Sequence, residues 1–156
     1  MPAIPPSLLK YPPAFLATGF GSGLSPVAPG TVGTAVSLLL FVVLQNTGWP
    51  LLALCVAGFF IGIWLCDRTS EKLGTHDHGG IVWDEFIGMW ITLLWIPLSP
   101  VTLLLAFVLF RLFDIIKPWP ISYLDKRVHG GLGIMIDDVV AGVFANVCLL
   151  VILKLW

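Results

Sequence analysis

Four carboxylates stand in the sequence as two adjacent pairs, Asp84-Glu85 within IVWDEFIG and Asp137-Asp138 within GGLGIMIDDVVAG. Each pair borders an apolar run, where an unpartnered carboxylate is costly and is therefore rarely idle. A modest use would be to sit at a helix start, where the dipole favours an acid by about 0.3–1 kcal/mol. A stronger use is to hold a cation. Converging hard oxygen ligands fit magnesium, which is commonly held by one or two carboxylates together with substrate phosphate. Between the pairs, FRLFDIIKPWP spaces Arg111, Asp114 and Lys117 at steps of three, along one face of a helix that Pro118 must end. Two cations around one acid suit a phosphate beside a metal ligand; an ion-pair cluster anchoring the helix end is the alternative. Together these residues describe a metal-dependent site for an anionic ligand. Asp84, Glu85, Asp137 and Asp138 would hold the metal directly or through water. One of them, or Asp114, would orient an attacking water, while Arg111 and Lys117 would bind phosphate and stabilise developing charge. A covalent aspartyl-phosphate stays open as a route.

Other motifs carry less. TGFGSG leads into SPVAPGTVGT, where glycines allow close backbone approach and Thr31 opens an apolar helix. Free N–H groups at such a start suit phosphate, so Thr31 joins the candidate substrate-binding residues; a tight turn with Thr31 as N-cap is the plainer use. No lysine follows as in a P-loop, so nucleotide binding is not implied. Asp67 and Glu71 share a helical face and read as a solvated, salt-bridged helix end. His76-Asp77-His78 on a glycine-rich loop is a poor zinc pattern and reads as an exposed loop. Cys55, Cys66 and Cys148 lie in or beside apolar stretches, are odd in number and lack metal spacing, so they are expected as small buried hydrophobes. No Cys-x5-Arg occurs, which argues against a cysteinyl-phosphate mechanism.

The elements that position these residues are apolar helices. Of 156 residues, 58% are hydrophobic and 11% charged, with mean hydropathy +0.98, too little polarity to cover a water-facing surface. Net charge is −1, which leaves no basic field for nucleic acid. Apolar blocks cover 32–44, 49–66, 86–113 and 139–153, and none alternates as a strand would. The third should break at Pro97, giving helices at 86–96 and 101–113, so about five in all. Asp137 and Asp138 would then immediately precede the last helix. The blocks are short for a bilayer, so some helices should be short or re-entrant. The expected fold is a compact all-α polytopic membrane bundle, one domain over 1–156, with residues 1–17 as a Pro-rich extended arm and no cleavable signal peptide. The connections at 45–50 and 97–100 carry no charge, whereas seven of the eight Lys/Arg fall on the opposite side if every helix crosses. The positive-inside rule makes that side cytoplasmic.

The set TGFGSG, SPVAPGTVGT, IVWDEFIG, FDIIKPWPI and GGLGIMIDDVVAG resembles the phosphatidylglycerophosphatase A family, in order and over nearly the whole chain, from Thr18 to about Asn146. The resemblance implies a magnesium-dependent hydrolase of the bacterial cytoplasmic membrane. Such an enzyme removes the terminal phosphate of phosphatidylglycerophosphate to give phosphatidylglycerol and inorganic phosphate. Its partners would be the anionic phospholipid and the bilayer; the sequence leaves the oligomeric state open. From the residues alone, a small ion- or proton-coupled transporter and a non-catalytic membrane subunit are the competing functions, since acids inside membrane proteins serve transport too.

Overall fold

The computed structural model describes residues 4–45 and 50–155, and every regular element among them is helical. In order these are α1 (Pro12–Ala17), α2 (Pro29–Leu44), α3 (Leu51–Leu73), α4 (Trp83–Thr92), α5 (Pro100–Ile116), α6 (Ile121–Arg127) and α7 (Gly130–Leu155), with 3-10 turns at Pro6–Lys10 and Ser22–Leu24. Helices α2 to α5 and α7 are the five apolar helices expected from the sequence. The connection expected at 45–50 falls largely on 46–49, outside the described residues. The start of the chain is not the extended arm its prolines suggested. Those prolines occupy the first positions of the 3-10 turn and of α1, where a missing N–H costs nothing, and Ile4, Leu8 and Ala14 bury there as a small core of their own.

Helices α3 and α7 are long and apolar enough to cross a membrane. Helices α2 and α5, with 16 and 17 residues, span roughly 24–26 Å against a hydrocarbon core of about 30 Å. Large apolar side chains face outward on all four, among them Leu39, Phe60, Leu104 and Val147. The chain is thus a compact membrane helix bundle with some short members. Its shortest apolar helix is also its centre: eight of the ten residues of α4 are buried, and α2, α3, α5 and α7 all pack on it.

The pairing of α4 with α7 sets the geometry of everything polar. Gly88 lies against the backbone of Asp138, and Gly142 lies against the Gly88 carbonyl, so neither position has room for a Cβ. One turn further on, Asn146 Nδ2 donates to the carbonyls of Thr92 (3.0 Å) and Leu94 (2.9 Å), satisfying groups that the end of α4 frees inside the apolar bundle. Gly88 with Gly142 and Thr92 with Asn146 keep one offset, 54 residues, so the two helices run in the same direction. The same register, one turn earlier, puts Asp84 beside Asp138. Trp90 Nε1 donates to the Ser37 carbonyl (3.1 Å) and Ser37 Oγ to the Phe86 carbonyl (3.1 Å), which locks α2 onto the same hub.

Two helix boundaries differ from expectation in ways that matter. Helix α4 starts at Trp83 and stops at Thr92, which places Asp84 and Glu85 in its first turn. Helix α7 starts at Gly130, nine residues before the apolar block, so Asp137 and Asp138 lie two turns inside it rather than ahead of it. Glycine disfavours a helix by about 1 kcal/mol relative to alanine, but here packing decides. Gly131 touches the Ile63 carbonyl and Gly133 the Val128 carbonyl, contacts that a Cβ would block. The first N–H groups are capped from elsewhere: Gly130 donates to His76 Nε2 (2.9 Å) and Gly131 to Asp67 Oδ1. Asp67 is therefore a cap that ties α3 to α7, and only Arg68–Glu71 forms the exposed ion pair expected at this helix end.

Candidate active site

The first turns of α2 and α4, the early turns of α7 and the last turns of α5 meet at one end of the bundle. They enclose a cavity of about 400 Å³. Pro100 and a reciprocal Ser99–Thr102 capping box fix where α5 begins, and so how far it reaches; it stops where Lys117 turns left-handed (φ 46°) ahead of Pro118. Ala28 (φ 46°) at the start of α2 and Asp77 (φ 50°) in the loop before α4 share that conformation, and all three line the cavity. Strained backbone of this kind concentrates at functional sites.

The walls carry six carboxylates, Asp77, Asp84, Glu85, Asp114, Asp137 and Asp138, against two bases, Arg111 and Lys117. Asp84, Glu85 and Asp138 each offer an oxygen within 4.8 Å of the others, and all three are buried. Asp84 Oδ1, Glu85 Oε2, Asp137 Oδ1 and Asp138 Oδ2 are buried without a hydrogen-bond partner among the described residues. Buried carboxylates of like charge that converge with unpartnered oxygens are unfavourable by themselves, and this donor set fits a hard divalent cation.

The two bases hold different parts of the wall. Arg111 Nη1 pairs with Asp114 Oδ2 at 2.5 Å and lies 3.7 Å from Glu85 Oε1, while its Nε has no hydrogen-bond partner among the described residues. Gly30 lies against both Glu85 and the Arg111 guanidinium, so a Cβ at position 30 would displace the Glu85 carboxylate from this junction. Lys117 Nζ donates to Asp125 Oδ1 (2.5 Å) and Asp137 Oδ2 (2.6 Å). Burial works against the Lys117 charge, but these two carboxylates outweigh it and raise its pKa above the ordinary lysine value.

Of the residues expected from the sequence, Asp84, Glu85, Arg111, Asp114, Lys117, Asp137 and Asp138 all line this one cavity. Thr31 does not; Ala28, Pro29 and Gly30 do so in its place, because α2 begins at Pro29 and Thr31 is already its third residue. The two acid pairs do not act as one set of four. Asp138 joins Asp84 and Glu85, whereas Asp137, about 100° away around α7, turns to Lys117. Three residues were not among the candidates: Asp77, read within His76-Asp77-His78 as part of an exposed loop and found on the wall, Gly30 at its back, and Asp125, which shares Lys117. Asp77 had a visible signal, an acid between two histidines just ahead of IVWDEFIG. Asp125 had none, since only the fold of α6 brings it to Lys117.

The model of the family described as phosphatidylglycerophosphatase A matches residues 15–153. Among curated proteins, the chain is similar to phosphatidylglycerophosphatase A of Escherichia coli, 50% identical over 88% of this chain and 81% of that protein. The Haemophilus influenzae protein of the same name is 49% identical over 88% of this chain and 86% of its own length. A Bacteroides thetaiotaomicron protein, provisionally named a phosphatidylinositol-3-phosphatase, is 39% identical over 91% of this chain and 94% of its own length. No solved structure matches. With a family match across both acid pairs and the Arg111–Lys117 segment, and with 50% identity over most of its length, the chain belongs to the phosphatidylglycerophosphatase A family.

Proposed function

We propose that the chain hydrolyses the terminal phosphate monoester of phosphatidylglycerophosphate to phosphatidylglycerol and inorganic phosphate, with magnesium held by Asp84, Glu85 and Asp138. The observation that carries this is the trio of buried, converging carboxylates with unpartnered oxygens beside two bases. The names of the two relatives near 50% identity supply the substrate. The third relative's name shares the chemistry, a phosphomonoester on a glycerophospholipid headgroup.

Charge supports a cation requirement. Six acids against two bases would repel a phosphate, so an anionic headgroup needs added positive charge in this cavity. Magnesium, when bound, supplies that charge against the phosphoryl oxygens. Arg111 takes a further phosphate oxygen, positioned by Asp114, and the backbone at the start of α2 offers N–H groups beside it. Asp137 orients the attacking water: Lys117 holds its Oδ2, and its buried Oδ1 is unpartnered and takes the water's proton. The bond from phosphorus to the glycerol oxygen then breaks, Arg111 and Lys117 stabilise the charge leaving with that oxygen, and the proton taken up by Asp137 returns to it to give the free hydroxyl. A transport role is less well supported, because the deeper buried polar groups Ser37, Thr92 and Asn146 each donate to backbone carbonyls.

The direct test is phosphate release from phosphatidylglycerophosphate by the detergent-purified protein, with and without magnesium. No release under any magnesium concentration would refute the proposal. Within it, Lys117→Ala should lower kcat/KM by about 10²-fold, a loss of order 2–4 kcal/mol in transition-state stabilisation. Lys126→Ala, at an exposed position in α6, should change it little. Equal small effects would remove Lys117 from the site.

We place the protein as a multi-pass component of the bacterial cytoplasmic membrane with this cavity facing the cytoplasm. The one-sided Lys/Arg distribution supports that placement. In a variant without native cysteines, a cysteine replacing Ser99 should react with an impermeant thiol reagent in intact cells, and one replacing Thr75 should not. Reversed labelling would overturn the orientation.

A further inference from the structure

We propose that one acyl chain of the lipid substrate lies in the apolar groove between α2 and α5, so that substrate reaches the cavity sideways from the bilayer. This rests on the phosphatase proposed above and adds where the hydrophobic half of the substrate binds. The groove has a volume of about 310 Å³ and is lined by Ala35, Leu38 and Leu39 of α2 and by Leu103, Leu104 and Phe107 of α5. It contains no polar surface, which suits hydrocarbon.

Continuity with the polar cavity selects the occupant. The same two helices line both, in sequence along their axes. On α5, Phe107 is one turn from Arg111 and Leu103 two turns. On α2, Gly30 lines the cavity and Leu38 lies two turns beyond it. Eight residues of helix put about 12 Å between the phosphate-binding junction and the deep end of the groove. In the lipid, a glycerol, a phosphodiester and a second glycerol separate the terminal phosphate from the acyl esters, a stretch of comparable reach when extended. With the phosphate at Arg111, the acyl esters reach Leu103 when the headgroup is extended and lie nearer Phe107 when it is folded, so the acyl chain enters the groove between them. The rim is open to the bilayer, with Leu39 66% and Leu104 65% exposed. A second apolar groove is larger, about 520 Å³, and lies among α3, α4 and α7. Helix α3 contributes nothing to the polar cavity, and Ile136, Val139 and Val143 of α7 point away from the Asp138 side. That groove serves as the control.

Two measurements test the assignment. The first compares phosphatidylglycerophosphate with its deacylated, tail-free headgroup as substrates. Ala35→Trp and Leu104→Trp fill the α2–α5 groove from exposed positions. They should lower kcat/KM for the diacyl lipid about tenfold, the loss of roughly two methylenes' worth of contact, and leave the tail-free substrate unchanged. Val56→Trp, in the other groove, should change neither. Parallel loss on both substrates, or no loss on the lipid, would overturn the groove. The second uses phosphatidylglycerophosphate with a diazirine midway along one acyl chain and maps the crosslinked residues in the wild-type protein. Label on 35–39 and 103–107, displaced by unlabelled substrate and not by phosphatidylcholine, is expected. Label concentrated on Val56, Phe59 or Val143 overturns the proposal. Mapping requires no turnover: label on the α2–α5 seam without phosphate release would retain the groove and reject the reaction.

Discussion

Asp84→Asn, Glu85→Gln and Asp138→Asn should each reduce phosphate release by about 10²–10³-fold or more, because each deletes a charge that a divalent ion needs while nearly keeping size. The three positions are chosen by geometry: among the described residues they form the one group of three acids whose oxygens all lie within 4.8 Å of one another. The magnesium dependence separates ligation from structure. A ligand variant should need far more magnesium or show no activity at any concentration, whereas a helix-start acid is worth only about 0.3–1 kcal/mol and its loss would leave turnover nearly intact. Thermal melting gives a second readout. Magnesium binds the folded state, so it should raise the Tm of the wild-type protein and raise it less in each variant. In magnesium-free buffer Asp84→Asn and Asp138→Asn should melt no lower than wild type, since removing one of three clustered buried acids relieves repulsion, whereas Glu85→Gln also loses the ion pair with Arg111. Asp137→Asn should behave differently, lowering kcat while leaving the magnesium requirement close to normal, because Asp137 faces Lys117 and stands outside the trio. Near-normal turnover and an unchanged magnesium curve in all three trio variants would refute the metal site.

What could be read from the sequence follows from cost. Charges inside or beside apolar runs are expensive, so Asp84, Glu85, Arg111, Asp114, Lys117, Asp137 and Asp138 announced themselves, and the structure brings all seven to one cavity. Proline acts locally, so the break before α5 and its end at Pro118 were legible too. The start of α7 was not. Glycines at 130, 131 and 133 read as a loop by propensity, and only contacts with Ile63 and Val128, distant or preceding in the chain, turn them into helix. That error hid the division of labour between Asp137 and Asp138. Two turns inside α7, Asp137 and Asp138 point about 100° apart, and there Asp138 meets Asp84 and Glu85 while Asp137 meets Lys117. Asp77 and Asp125 sit on segments with no apolar context, where an acid is cheap: the flanking histidines were the one mark on Asp77, and Asp125 carried none.

The register of α4 against α7 places Asp84 beside Asp138, so disturbing it should disable the site from a distance. Gly142→Ala is the sharpest probe. Its Cβ would press on the Gly88 carbonyl, a backbone atom held in the hub and unable to swing aside. The two helices must separate or slide, one turn away from the trio. A displacement of about 1 Å can cost on the order of 10² in rate when it misplaces catalytic groups, and a loss of that size is expected for Gly142→Ala, together with a raised magnesium requirement because the ligands no longer converge. Gly58→Ala is the matched control on α3. Its Cβ would also be crowded, but by Ile87 Cδ1, the far end of a flexible side chain that can turn away. Activity and magnesium dependence should then stay near normal, with a modest change in Tm at most. Both substitutions add one methyl to a buried helix crossing, so a generic packing defect predicts similar outcomes for the two. A large loss confined to Gly142→Ala, with protein that still inserts and purifies, ties the metal-binding geometry to the α4–α7 register. Near-normal turnover in Gly142→Ala would mean that the trio tolerates a shift of these helices, and that their close crossing serves packing alone.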